Sequence, residues 1–157
     1  MDVSVMINNI KFNYRVATII KNNNKILLHK CRTDDFYALP GGRVTIGEDS
    51  KTALKRELKE EMGAEIIIKH YLGTIENFFE YNGKKYHEIM IVYESDFDIC
   101  SDFSKKEKIV GLEENGKIEF IWKTINEIKK LDLRPLFLKE NIVSNVNVNH
   151  FINNDIE

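Results

Sequence analysis

Apolar residues recur along this chain in two patterns, one typical of strands and one typical of a helix. Segments 3–10 and 12–20 are rich in β-branched residues, and a third apolar segment, Lys25–His29, follows the asparagine-rich stretch Asn22–Asn24. Such composition favours strands, and asparagine tolerates the left-handed backbone of a turn. The first part of the chain therefore predicts three strands, with a hairpin between the second and the third.

Residues 49–62 contain no glycine or proline and predict a central helix. Asp49 or Ser50 is suited to the N-cap, and Gly63 stands where a C-cap glycine belongs. A stripe of apolar residues at helical spacing can pack this helix on a sheet, and it consists of Leu54, Leu58 and Met62.

The second half of the chain alternates predicted strands, turns and short helices. Asn82-Gly83 is a strong hairpin signal. Residues 101–115 are polar and predict a loop, and the asparagine-rich tail, 143–157, is expected to fray. Strands are predicted at 65–69, 71–81, 85–93 and 117–122, and short helices at 124–130 and 135–140. Strands on both sides of a helix, followed by late helices, predict an α/β domain with a mixed sheet.

Length, charge and cysteine content narrow the class of protein. A chain of 157 residues predicts a single domain over 1–157. Its net charge of −2 argues against a surface dedicated to nucleic acid. Only Cys31 and Cys100 are present, which excludes a disulfide framework and fits a reducing compartment. No apolar run reaches the roughly 20 residues of a membrane span, and no signal peptide is visible. We expect a cytoplasmic protein without a membrane partner.

The segment from Gly42 to Ala64 carries the strongest chemical signal in the chain. On a helix, Glu57, Glu60 and Glu61 have i, i+3 and i+4 spacing and share one face. Because neighbouring like charges destabilise a helix, these carboxylates need a neutralising partner. A magnesium site meets that need, since Mg²⁺ takes hard oxygen ligands, whereas a solvated acidic face leaves the rest of the spacing unexplained. The full pattern is Gly42, five residues, Glu48, seven residues, then Arg56-Glu57-Leu58-x-Glu60-Glu61-x-Gly63-Ala64.

This pattern is the Nudix box, and the chain resembles the Nudix hydrolase family. The resemblance implies an α/β/α sandwich in which the box forms a loop, a helix and a loop. It also implies a homodimer and Mg²⁺- or Mn²⁺-dependent hydrolysis of a diphosphate bond, by water attack on phosphorus of a nucleotide or nucleoside diphosphate derivative. The implied metal ligands are the Gly41 carbonyl, Glu57 and Glu61, with Glu60 binding a second ion or sharing the first.

Other box residues are expected to support the metal face. Arg56 lies one helical turn before Glu60 and is placed to brace it. The resemblance implies that Arg56 orients carboxylates and that Glu48 acts through a water or a hydrogen bond. Gly41 and Gly42 suit a tight turn that brings the backbone close to a metal.

The general base and the substrate contacts are less closely specified by the sequence. The resemblance allows the base to be Glu57 or a later glutamate, and Glu88 is the preferred later candidate. Glu113 and Glu114, in the polar loop, are the alternatives. Residues expected to bind substrate, although a core or surface role is the commoner one for each type, are Phe36, Tyr37, Arg15 and Tyr81.

Two other functions are compatible with the same fold. A binding module that senses a nucleotide metabolite would usually lose box glutamates, and this box retains them. An isomerase of isoprenoid diphosphates would need further catalytic residues that the sequence does not place. Tyr81, seventeen residues after Ala64, matches a marker of dinucleoside polyphosphate hydrolases. The sequence therefore does not specify the substrate.

Overall fold

The strands assemble into one mixed sheet with helices on both faces. The structure, a computed structural model, describes residues 1–144 and 149–156. In chain order, the elements within those ranges are β1 Ser4–Ile7, β2 Ile10–Asn22, β3 Lys25–Cys31, β4 Gly41–Arg43, α1 Ser50–Met62, β5 Ile66–Tyr81, β6 Lys84–Phe97, β7 Lys108–Val110, β8 Ile118–Thr124, α2 Ile125–Ile128, α3 Leu136–Ser144 and β9 His150–Asn154.

Strand β2 is the centre of the sheet. The strand order is β7-β8-β3-β2-β6-β5-β9, and β1 and β4 also pair with β2. Strand β6 runs parallel to β2 and covers Ile10–Ile20 along one edge. The other edge of β2 is therefore shared by β1, β4 and β3, which pair with successive parts of it. This arrangement brings the glycines of β4 next to the middle of the central strand.

Alternating residues of the central strands build two separate cores, one on each face. One core includes Val16 and Leu27 from the sheet and Leu54 and Leu58 from α1. The other joins residues of the sheet to α2 and α3, and its members include Ala17, Leu28, Met90, Ile128, Leu133 and Leu138. Because neighbouring strand residues point to opposite faces, β2 contributes to both cores. The predicted α/β/α sandwich is thereby confirmed. Among the described residues, no helix is both long and apolar enough to cross a bilayer.

The signals that depend on local sequence are confirmed. The Asp49 side chain accepts hydrogen bonds from the backbone N–H groups of Lys51 and Thr52, at 2.9 and 3.1 Å, and so caps α1. Gly63 ends the helix in the left-handed region, with φ 72°. The Asn82-Gly83 turn also has positive φ at both residues, as a two-residue hairpin requires.

Three predictions of secondary structure were wrong in part. The two strands predicted within 65–81 are one strand, β5, interrupted by register shifts near His70 and Leu72. The predicted loop 101–115 contains the short strand β7. Residues 150–154 of the tail do not fray, because β9 pairs in parallel with β5 and Asn153 donates to Asn77 Oδ1 at 2.8 Å. The rest of the predicted tail includes residues 145–148 and 157, which lie outside the described residues.

Candidate active site

Two glycines bring the box loop into contact with the sheet and with α1. Gly41 pairs with Ala17 of β2 and has φ 148°. A Cβ on Gly41 would lie 2.1 Å from the Val16 carbonyl oxygen, so a side chain there would force the loop away from β2. Gly42 faces the helix instead, and a Cβ on it would lie 1.9 Å from Glu57 Oε2. Both positions therefore need glycine for close approach.

Arg56 organises the carboxylates around the box loop. Its Nη1 donates to Glu57 Oε1 at 2.8 Å and to Glu60 Oε2 at 3.0 Å, and its Nη2 donates to Glu48 Oε1 at 2.6 Å. Nη2 also donates to the Arg43 carbonyl at 3.0 Å. The planar guanidinium suits this arrangement because its donors point in fixed directions. These contacts hold α1 and the preceding loop in one orientation.

Glu48 closes the loop from its other end. The Thr45 backbone N–H donates to Glu48 Oε1 at 2.8 Å, while Arg56 bonds both oxygens of the same carboxylate. Hydrogen bonding to Arg56 is the main reason that the pKa of Glu48 is lowered. A carboxylate held in this way is a structural support for the loop.

The helix glutamates lie in different environments despite their shared helical face. Glu61 is buried, its Oε2 has no hydrogen-bond partner among the described residues, and burial with the nearby charge of Glu57 raises its pKa to about 8. Burial also raises the pKa of Glu57, against the opposing effect of Arg56. The Glu60 side chain is 49% exposed and paired with Arg56. The acidic face thus has a buried member, Glu61, a half-buried one, Glu57, and an outer one, Glu60.

This donor set fits a hard divalent cation that completes its shell from elsewhere. Among the side chains that the structure describes, no three of His, Cys, Asp or Glu converge enough to enclose a metal by themselves. Mg²⁺ does not require this, because it commonly uses one or two carboxylates and takes its other ligands from waters and phosphates. A buried carboxylate oxygen without a partner, as in Glu61, is costly unless a cation neutralises it.

Arg15 connects the box to the middle of the sheet. It lies on β2, and its positive charge acts on both Glu57 and Glu61. On its other side, its Nε lies 4.0 Å from Glu88 Oε2. The Arg15 side chain is 33% exposed, whereas its neighbour Glu88 is buried, so part of Arg15 is accessible from solvent.

Glu88 is a buried residue of β6 and is not adjacent to the box. It pairs with Asn13 on one edge of β2, while Gly41 pairs with Ala17 on the other edge. Glu88 and Gly41 are therefore four residues apart along the strand direction and two strand spacings apart across the sheet. Together these displacements place their Cα atoms about 16 Å apart. A glutamate side chain does not span that distance, which argues against Glu88 as the general base beside Gly41.

The polar loop before β8 comes closer to the box than the sequence indicates. The Leu112 N–H donates to the Glu61 carbonyl at 2.7 Å, which places this loop beside the end of α1. The negative charge of the next residue, Glu113, contributes to the raised pKa of Glu61. Glu113 is exposed, and the Glu114 side chain lies outside the described parts. Only the tertiary fold reveals this proximity.

The predicted aromatic residues are divided between two contacts. Phe36 and Tyr81 meet edge to face, with ring centroids 6.0 Å apart, and the Tyr81 hydroxyl donates to Asp34 Oδ1 at 2.8 Å. The Arg134 guanidinium lies 4.5 Å from the Phe36 ring centroid, a contact that no local sequence signal indicates. The Tyr37 ring makes a different contact, in which Lys30 Nζ lies 5.4 Å from its ring centroid.

Comparison with known families matches residues 11–140 to the NUDIX domain. This match covers most of the chain, and the chain therefore belongs to the Nudix family. Among solved structures, the MutT protein from Bacillus halodurans has a similar fold, with a TM-score of 0.64 and 17% identity over 92% of this chain and 93% of that one. The E. coli ORF135 protein gives a TM-score of 0.60 and 24% identity, covering 89% of this chain and 94% of the other.

Curated relatives share shorter parts of the sequence. The ADP-ribose pyrophosphatase of Methanocaldococcus jannaschii is 45% identical over 38% of this chain and 37% of its own length. The 8-oxo-dGTP diphosphatase of Buchnera aphidicola is 35% identical over 45% of this chain and 57% of its own length. The methanol dehydrogenase activator of Bacillus methanolicus is 31% identical over 71% of this chain and 58% of its own length. This chain thus spans less than two thirds of each of these relatives.

Proposed function

We propose that this chain is a Mg²⁺- or Mn²⁺-dependent hydrolase that cleaves the diphosphate bond of a nucleotide or nucleoside diphosphate derivative. The observation that carries the proposal is the buried Oε2 of Glu61, which has no hydrogen-bond partner among the described residues and lies beside Glu57 on a helix braced by Arg56. Such a pair is costly unless a cation binds there. Relatives named as an ADP-ribose pyrophosphatase and an 8-oxo-dGTP diphosphatase support the same class of reaction.

In this proposal the metal face, formed by the Gly41 carbonyl, Glu57, Glu60 and Glu61, has a less exposed part and a more exposed part. Glu57, Glu61 and the Gly41 carbonyl hold the first ion, and Glu60, which is more exposed, holds a second or shares the first. A bound divalent cation would neutralise charge on the phosphate oxygens and lower the pKa of the attacking water. Arg56 keeps Glu57 and Glu60 in place without contacting the substrate.

Two carboxylates are candidates for accepting the proton of the attacking water. Glu57 belongs to the box, and Glu113 lies in the loop that contacts the end of α1. Glu113→Gln separates them, because loss of turnover with unchanged metal affinity assigns the base to the loop. Unchanged turnover in that variant assigns it to Glu57.

The substrate contacts follow from what lies around the box. We assign a phosphate to Arg15, because its charge acts on Glu57 and Glu61 and its Nε has no hydrogen-bond partner within the described structure. Phe36 and Tyr81 offer an aromatic corner on which a base or ribose can pack. Tyr37 lines the same loop as Phe36 and is assigned a supporting contact.

The proposal is tested with Glu61→Gln and a panel of nucleotides and nucleoside diphosphate derivatives in Mg²⁺. The wild-type protein is expected to hydrolyse at least one of them, and the variant to lose most of that activity while remaining folded. Glu65→Gln is the matched control, since Glu65 is exposed and paired with Lys59 outside the metal face. Full magnesium-dependent activity in Glu61→Gln would contradict the metal assignment.

The same panel tests the alternative of a nucleotide sensor. Tight binding of one compound without hydrolysis of any would identify a binding module. Retention of all the box glutamates favours the enzyme. A homodimer and a cytoplasmic location stay predictions.

A further inference from the structure

A row of polar side chains crosses the sheet on the face that carries Arg15. Register pairs each member with the next across neighbouring strands, so their side chains point to the same face. Three of them, Asn13, Glu88 and Asn77, are at most 5% exposed. From β1 to β9, across five strands, the row consists of Ser4, Asn13, Glu88, Asn77 and Asn153.

Hydrogen bonds at the two ends of the row orient the asparagine amides. Ser4 donates to Asn13 Oδ1 at 2.8 Å, and Asn153 donates to Asn77 Oδ1 at 2.8 Å. Asn153 also donates to Asp155, whose carboxylate accepts, and this contact fixes the direction of its own amide. Because the oxygen and the NH₂ group of an amide point in different directions, the NH₂ group of Asn77 is directed away from the oxygen that accepts from Asn153.

Glu88, in the middle of this row, has a carboxylate oxygen that accepts no hydrogen bond from the described residues. Its Oε2 and the Nε of Arg15 are both buried without a hydrogen-bond partner among the described residues. Their separation of 4.0 Å exceeds a hydrogen bond. A buried carboxylate oxygen without a hydrogen-bond partner is costly, and Arg15, whose side chain is 33% exposed, does not supply that bond at this distance. The carboxylate is therefore arranged to accept hydrogen bonds from something else.

We propose that Glu88 and Asn77 read the edge of a nucleobase and select guanine. This inference rests on the proposed function. A carboxylate accepts two adjacent hydrogen bonds, and the Asn77 amide beside it donates one. The Watson–Crick edge of guanine offers the complement, because an oxygen acceptor is followed by two N–H donors. Adenine and cytosine present only one donor group there, and uracil has one donor between two acceptors.

The position of the row suits the base end of a nucleotide. Arg15 lies on β2 two residues from Ala17, which pairs with Gly41, and two residues from Asn13, which pairs with Glu88. It is thus midway between the box and Glu88. A diphosphate bound at the box and contacted by Arg15 would direct its nucleoside along the sheet towards Glu88, about 16 Å from Gly41 between Cα atoms.

The test measures binding rather than turnover, with α,β-methylene diphosphates of guanosine, inosine and adenosine in Mg²⁺. Inosine keeps the ring N–H of guanosine and lacks its exocyclic amine. We expect guanosine to bind about ten-fold more tightly than inosine and about a hundred-fold more tightly than adenosine, as one or two base-edge contacts provide. Glu88→Gln is expected to weaken guanosine binding and to strengthen adenosine binding, so that most of the preference is lost, because a carboxamide matches the adenine edge.

Two further variants keep the result interpretable. Asn153→Ala leaves Glu88 intact but releases the Asn77 amide, and should reduce the guanosine-to-adenosine ratio several-fold without weakening adenosine. Glu76→Gln is the matched control, since Glu76 lies next to Asn77 on the opposite face and pairs with His150 at 2.7 Å. It should leave the ratio unchanged.

The outcomes separate this inference from the proposed function. Equal affinity for the three bases in the wild-type protein would overturn the base assignment, as would an unaltered ratio in both Glu88→Gln and Asn153→Ala. Base-selective binding without hydrolysis would overturn the enzyme and leave the base assignment standing. Hydrolysis of all nucleotides with equal efficiency would overturn the base assignment and leave the enzyme standing.

Discussion

Glu57 lies so close to Gly42 that a Cβ on the glycine would be 1.9 Å from the carboxylate Oε2. Gly42 is not among the residues with positive φ, so alanine is allowed by the backbone. The need for glycine at this position is therefore steric and comes from a side chain that the helix supplies. The box couples its loop to its helix through this contact as well as through Arg56.

Gly42→Ala should reduce hydrolysis about a hundred-fold, because displacing Glu57 by an ångström misplaces the reacting groups. Its free energy of unfolding should fall by about 1–3 kcal/mol, because the added Cβ must displace a side chain that Arg56 holds in place. Activity and denaturant unfolding are measured together. Gly83→Ala is the control, in open space at φ 71°, and should lose about 1 kcal/mol of stability without losing activity. Equal activity losses in the two variants would contradict the contact.

Arg56→Lys should lower both activity and stability although it keeps the charge. Lysine cannot direct fixed donors to Glu48, Glu57 and Glu60 at the same time. The expected loss is about 1–3 kcal/mol in the free energy of unfolding, with at least about ten-fold lower kcat. Arg43→Lys, at an exposed ion pair with Asp2, is the comparison. A fully active Arg56→Lys protein would show that charge alone suffices.

Glu61→Gln should have opposite effects on stability with and without metal. Without metal, the variant should be the more stable protein, because it removes a buried carboxylate next to Glu57. With Mg²⁺, the wild-type protein should gain stability as the ion concentration rises, and the variant should gain less. Thermal unfolding across a magnesium titration measures both. Equal metal stabilisation of the two proteins would contradict Glu61 as a ligand.

His29 should make the protein less stable in mild acid. Burial, with the charge of Arg15, lowers the pKa of His29 from 6.5 to about 3. Between those values the unfolded chain binds a proton that the folded chain does not, so stability is complete above pH 6.5 and falls as the pH decreases. The loss is about 1.4 kcal/mol per pH unit.

His29→Gln should remove this part of the pH dependence. The difference in unfolding free energy between wild type and variant, measured from pH 7 to pH 4.5, gives the contribution of His29. His70→Gln, at an exposed position, serves as the control. The same slope in wild type and His29→Gln would show that the His29 imidazole does not control the acid response.

The acidic face of α1, formed by Glu57, Glu60 and Glu61, illustrates what a sequence can and cannot specify. Helical spacing correctly places Glu57, Glu60 and Glu61 on one side of α1, but it treats them as equivalent. Their burial differs because the loop at Leu112 bonds the backbone of Glu61, whereas Glu60 faces solvent. Leu112 is about fifty residues from Glu61 along the chain. No local sequence pattern therefore predicts that the two are in contact.

Glu88 shows the same limit across the sheet. Glu88 directly precedes the apolar run 89–93, which predicts a strand, and the strand is present. Its burial depends on the registers of β2 and β5 on either side of β6. The polar row also needs Asn153, from a tail whose composition predicts fraying. Such pairings join residues that are distant in sequence, so composition does not reveal them.

The sequence by itself determined the helix, its caps, the hairpin turns and the spacing of the box, since these depend on residues a few positions apart. It thereby determined the family and the class of reaction proposed. Only the tertiary structure decided which carboxylate is buried, which glutamate lies near the box, and which side chains form the row beyond Arg15. The physical reason is that burial and strand register are set by contacts between distant segments, and these contacts decide which polar atoms remain without a partner.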